Sequence, residues 1–158
     1  MRNDTLSRIT ATSAIAMNQV SDHELIVVIK DFLEMGHVDN IVAMFVQDPL
    51  YYSWTGAILE DERFNVRLGV LVLFEELKQR APNQLERAIP SLLPLLHSSS
   101  PHIRGEAVSV LGIIGTLQAR EQIEKMLSDS HPLVVEVAQD ILAELGKNAM
   151  LKENGISS

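Results

Sequence analysis

The sequence predicts an all-α chain folded as an α–α superhelix of about seven to eight helices, and three observations carry that prediction. Three internal segments align without gaps, each passing from a helix-closing Leu through a polar turn to a β-branched residue seven positions on: Leu59 to Val66, Leu96 to Ile103, and Leu127 to Val134. The helix opening at each of these residues carries an apolar stripe at i, i+4, i+8 and i+11, one face of a 3.6-residue helix. The third observation is compositional. Apolar residues make up 46% of the 158-residue chain but aromatics only 4%, so the core is built from Leu, Ile, Val and Ala, a mixture that suits closely packed helices better than a β-sandwich.

In chain order, residues 1–20 show no strong pattern and are read as a flexible segment. Asp22–Glu34 reads as a helix with apolar Leu25, Ile26, Val28, Ile29, Phe32 and Leu33, ending near Gly36. A second helix covers about His37–Val46, and Asp48-Pro49 breaks the chain before Tyr51–Leu59. The first clear stripe is Val66, Val70, Phe74 and Leu77; the second is Ile103, Ala107, Leu111 and Ile114; the third is Val134, Ala138, Leu142 and Leu145. Positions 66, 103 and 134 lie 37 and then 31 residues apart, the spacing of a two-helix repeat unit. The preceding helices align as well, with Ala88, Leu92, Leu95 and Leu96 matching Ala119, Ile123, Met126 and Leu127. Pro90 and Pro94 fall in the earlier of these, so that helix should start late or kink. The expected organisation is one repeat domain over 21–146, divergent at 21–50 and clear from 50 to 146, followed by a flexible tail at 147–158.

The turn acids Asp61 and Asp129, the turn prolines Pro101 and Pro132, the Val-Arg and Ile-Arg pairs at 66–67 and 103–104, and Ala-x-x-x-Leu-Gly at 107–112 resemble the HEAT-repeat family. The resemblance is to its short bacterial form, also called the phycobilisome-lyase-type HEAT-like repeat. It implies that the turn acid and the Arg form a ladder tying consecutive repeats together, which here assigns Asp61, Arg67, Arg104 and Asp129 to that role. The pattern departs at Ser98, which replaces the acid of the middle unit, and at Val135, which replaces the last Arg. The resemblance implies a non-enzymatic scaffold that binds a protein or peptide.

Charge and composition narrow the function further. With 13 Lys and Arg against 21 Asp and Glu, the net charge of −8 provides no basic footprint for nucleic acid or for an anionic membrane. No cysteine is present, which removes disulfides, Cys-ligated zinc and thiol catalysis together. No signal peptide or membrane-spanning run is legible, so a cytoplasmic protein is expected. No Gly-x-Ser-x-Gly elbow or phosphate-binding Gly loop is present, and no catalytic residue or cofactor is expected.

Two tracts are candidates for binding. On the second helices, Glu76, Glu106, Ser109, Glu136, Asp140 and Glu144 lie off the core stripe. A superhelix presents this row on its concave face, where such acids suit a basic peptide. The plainer alternative is a solvated helix face. Tyr51, Tyr52 and Trp54 concentrate both tyrosines and the only tryptophan, and serve either as interface anchors or as a cap over the end of the core.

Two competing functions stay open. One is a metal-dependent enzyme or accessory factor using His23, His102, Glu106 and His131. His23-Glu24 is one His-Glu dipeptide where the deoxyhypusine hydroxylases, themselves HEAT-repeat proteins, use a symmetric set. The plainer reading makes His102 and His131 turn residues beside a proline. The other competing function is a structural subunit whose repeats pair in a homodimer.

Overall fold

The computed structural model describes residues 20–155, and within them the chain forms eight α-helices joined by turns and short 3-10 segments, with no strand. Helix α1 spans Asp22–Glu34, α2 Val38–Gln47, α3 Thr55–Leu59, α4 Phe64–Arg80, α5 Ile89–Leu92, α6 Pro101–Ile114, α7 Leu117–Lys125 and α8 Pro132–Glu153. Segment 1–19 lies outside the described residues.

Local chemistry sets the boundaries. At α1 the Ser21 hydroxyl accepts from the Glu24 amide at 3.1 Å while the Glu24 carboxylate accepts from the Ser21 amide at 3.0 Å, a complete capping box. Asp48 stops α2, because its carboxylate accepts from the Leu50 amide at 3.0 Å and thereby opens a 3-10 turn over Pro49–Trp54 that leads into α3. The helix with two prolines breaks as anticipated into 3-10 turns at Pro82–Ala88 and Leu93–His97 flanking the single turn of α5. Ser100 and Thr116 cap α6 and α7, and Gly115 supplies the left-handed residue (φ 68°) between them.

The helices form two layers. In one, α1 packs on α4, α4 on α6 and α6 on α8. The other holds α2 and α3, the broken segment around α5, and α7. Of the three predicted stripes, the first two are buried throughout, as are Val134 and Ala138 of the third. Leu142 and Leu145 are only half-buried, and Leu127 is exposed where its counterpart Leu96 is buried. The difference has a simple cause: no helix of the described chain follows α8 to cover them.

Two expectations are corrected. The domain does not end at 146. α8 continues through Lys147–Glu153, a stretch of helix formers with no Pro or Gly before Gly155, whose φ is 73°. The aromatic tract is core rather than binding surface. Tyr52 is fully buried, its ring edge-on to Phe45 and Phe74 at 5.1 and 6.1 Å between centroids. Tyr51 is buried beside Phe45 and Trp54. Only Trp54 keeps a partly exposed edge.

Among the described residues the Tyr52 hydroxyl has no hydrogen-bond partner, and burial pushes its pKa up. A buried polar atom left unpaired costs on the order of 1–3 kcal/mol. Tyr52→Phe is therefore expected to raise stability by about 1 kcal/mol in urea denaturation, and a loss of stability would show that the hydroxyl is in fact satisfied.

Candidate functional site

The turns between helices carry the ladder that joins the repeats, though not all of it as the sequence implied. Arg104 and Asp129 form the predicted rung. The guanidinium donates from Nε and Nη2 to the two carboxylate oxygens at 2.8 and 2.9 Å, and from Nη1 to the Ser98 carbonyl at 2.8 Å. Asp129 also accepts from the His131 amide at 2.9 Å. Arg104 holds the Asp129 carboxyl below its ordinary range, against the opposing effect of burial.

Asp61 is not paired with the Arg67 guanidinium through its carboxylate. It accepts from Arg63 through the amide (2.8 Å) and Nε (3.0 Å), and Lys30 Nζ lies 3.3 Å away. Those contacts, Arg63 foremost, bring its pKa down to about 2. Lys30 is the residue that sequence reasoning missed. It stands 37 residues before Arg67, the same interval that separates Arg67 from Arg104, but it lies late in α1, whereas Arg67 and Arg104 fall in the first turns of α4 and α6. The signal was the Ile29-Lys30 pair, which repeats Val66-Arg67 and Ile103-Arg104 in kind.

Arg67 has lost its own acid, since Ser98 occupies that place. Its Nη1 donates to the Asp61 and Glu62 carbonyls at 2.9 Å, and its Nε turns instead to Glu106 of α6 at 2.6 Å. Glu106 is thereby neutralised, and its reading as a free acid for a partner is corrected.

Beyond the ladder, a groove crosses the layer of α4, α6 and α8. It consists of two adjoining cavities of about 510 and 380 Å³ that share Leu71 and Ser109. Four of the proposed acidic-row positions besides Glu106 line it: Ser109, Glu136, Asp140 and Glu144. Glu76 does not; the α4 wall presents Leu71, Glu75 and Lys78 instead, one helical position round from the expected phase. Val137, Ile113, Ile141 and Leu145 make much of the lining apolar. Glu136, Asp140 and Glu144 are exposed, and none is ion-paired among the described residues.

His102, Glu106 and His131 also line the first cavity, whereas His23 sits on α1 and takes no part in it. Glu106 is engaged by Arg67, and His131 Nδ1 accepts from the Leu133 amide at 3.2 Å as the cap of α8. Among the described residues no three His, Asp or Glu side chains converge as a metal site, and no helix is long and apolar enough to cross a membrane.

A family model described as HEAT repeats matches residues 53–147. No curated protein and no solved structure matches the chain significantly. The matched span begins within the aromatic tract and takes in every rung residue except Lys30.

Proposed function

The chain belongs to the HEAT-repeat family, whose members typically serve as protein-interaction scaffolds, and we propose that it is a non-enzymatic scaffold holding a protein partner through a basic segment in this groove. One observation carries the reading. Glu136, Asp140 and Glu144 stand unpaired along one wall of a cleft whose lining is otherwise largely apolar. Unpaired acids beside apolar surface favour a ligand that brings cations together with aliphatic side chains, which supplies both charge complementarity and buried area. Of the other ionisable side chains along the groove, Glu106 is spent on Arg67 and His131 on its helix cap, and Glu75 and Lys78 on the α4 wall offset each other in charge.

Selection of displayed random peptides on the wild-type protein, with counter-screening on Glu136→Lys/Asp140→Lys, tests this. Selected sequences should be rich in Lys and Arg and should lose at least tenfold in affinity on the variant, with helicity unchanged. Selection of acidic or uncharged sequences, or binding indifferent to the double reversal, would refute it.

A further inference from the structure

Ser98 fills an acid's place in the ladder without an acid's charge. Its hydroxyl accepts from the Ser100 amide at 3.1 Å, the contact that Asp61 makes with the Arg63 amide at 2.8 Å and Asp129 with the His131 amide at 2.9 Å. Each of the three side chains holds the amide two residues on, so the three turns are built alike at this point. The intervals agree. Lys30 and Asp61 are 31 residues apart, as are Arg67 and Ser98. Arg104 and Asp129 are 25 apart, because the last repeat, at 31 residues against 37, is shorter by the same amount. Position 98 is where the acid of Arg67 would stand.

Arg67 keeps one half of its rung. Its Nη1 donates to the Asp61 and Glu62 carbonyls at 2.9 Å, as Arg104 Nη1 donates to the Ser98 carbonyl at 2.8 Å. The other half differs. Arg104 donates from Nε and Nη2 to the Asp129 carboxylate, whereas Arg67 donates from Nε to Glu106 at 2.6 Å. A hydroxyl is uncharged and offers a single oxygen, so it cannot take the two-pronged contact that a carboxylate takes. Nε carries one hydrogen, which makes a turn acid and Glu106 alternative partners. Glu106 is also the one acid that α6 brings to the lining of the groove.

We propose that Ser98 sets the charge of the groove, an inference that rests on the binding role just proposed. By leaving Arg67 to Glu106, the hydroxyl leaves the α6 wall without a free acid. Arg67 is a positioning residue that keeps the Glu106 carboxylate from the ligand. A carboxylate at position 98 draws Arg67 Nε and Nη2 into the turn and returns Glu106 to the groove.

Urea denaturation tests the exchange without any ligand. In the wild-type background, a double-mutant cycle of Arg67→Ala and Glu106→Gln should show a coupling of roughly fivefold in the unfolding equilibrium constant. With Ser98→Asp that coupling should vanish, and one of similar size should appear between Arg67→Ala and Ser98→Asp. Ser98→Asn, close in shape to Ser98→Asp but uncharged, should leave the wild-type coupling in place.

Fluorescence anisotropy with a labelled oligo-arginine peptide, at an ionic strength that screens distant charges, tests the consequence. Ser98→Asp should tighten binding by about threefold or more. Ser99→Asp adds the same charge at the exposed neighbouring position of the turn and should give no such gain. The variant Ser98→Asp/Glu106→Gln should lose it.

An Arg67–Glu106 coupling undiminished by Ser98→Asp would overturn the exchange, whatever the peptide does. A coupling that moves to position 98 while peptide binding stays the same, or rises equally with Ser99→Asp, would overturn the control of the groove. Failure of the peptide to bind any variant would overturn the groove reading and its control together, and the denaturation cycle alone would then decide the rung.

Discussion

Gly56→Ala is expected to destabilise the protein by about 3 kcal/mol, toward the upper end of what overpacking a core costs. A Cβ at this position would overlap the carbonyl oxygen of Ser91 and lie 2.8 Å from its carbon. The obstacle is backbone, so no rotamer change relieves it. Gly56 on α3 and Ser91 on α5 mark a close backbone approach of two successive repeats in their layer, fastened where the Gly56 amide donates to Ser91 Oγ at 2.9 Å. The same hydroxyl donates to the Ala88 carbonyl at 2.9 Å, which fixes its orientation. Separating α3 from α5 would also loosen Ile58, Ile89 and Leu92, all buried. Gly105→Ala is the matched control: with open space around it, only helix propensity changes, and a gain of about 1 kcal/mol is expected. Urea denaturation of both variants checks the contrast, and losses below about 1 kcal/mol for Gly56→Ala would mean that the two repeats part without strain.

The repeat register was legible because it is written in strong local signals: Leu-turn-β-branched junctions, prolines at helix starts, and stripes that hold over about three turns. What escaped was information that depends on neighbours. Lys30 shares its interval with Arg67 and Arg104, yet no Asp-Pro or Ser-Pro turn stands just before it, because α1 begins seven residues ahead of Ile29. The rung therefore could not be found from turn chemistry. Tyr52 looks the same in sequence whether it anchors a partner or closes a core; only the positions of Phe45 and Phe74 decide it. Glu106 reads as an exposed acid until Ser98, eight residues earlier, is seen to have deprived Arg67 of its partner. Glu76 and Glu75 differ by 100° of helix phase, an angle that an apolar stripe alone does not fix closely enough. These misses share a cause: each residue's role is set by what another repeat lacks or supplies.

Removing the carboxylate of the complete rung should be the second-largest effect. Asp129→Ala strips Arg104 of two charge-assisted hydrogen bonds and leaves the His131 amide without its acceptor. The side chains of the pair are 11% and 8% exposed, so the cost falls between the 0–1 kcal/mol of a surface pair and the 3–5 kcal/mol of a fully buried one, at about 2 kcal/mol. Arg104→Ala should cost less, because Asp129 keeps the His131 amide. It should still exceed Arg120→Ala, whose buried Nε has no partner among the described residues. Equal effects of the two arginine variants would mean that the rung contributes nothing, and the double variant Arg104→Ala/Asp129→Ala should lose less than the sum of its parts. Acidity reaches the same bond by another route. The folded pKa of Asp129 lies below its ordinary value, as does that of Asp61, which drops from 3.8 to about 2. For a depressed carboxyl, the stabilisation is complete above the unfolded pKa and disappears as pH falls through the folded one. Thermal stability should therefore hold down to about pH 4 as far as these two acids are concerned and fall progressively toward pH 2. Asp129→Asn should begin from a lower melting temperature and show a shallower acid slope. An acid slope identical to wild type would mean that this rung does not titrate with folding.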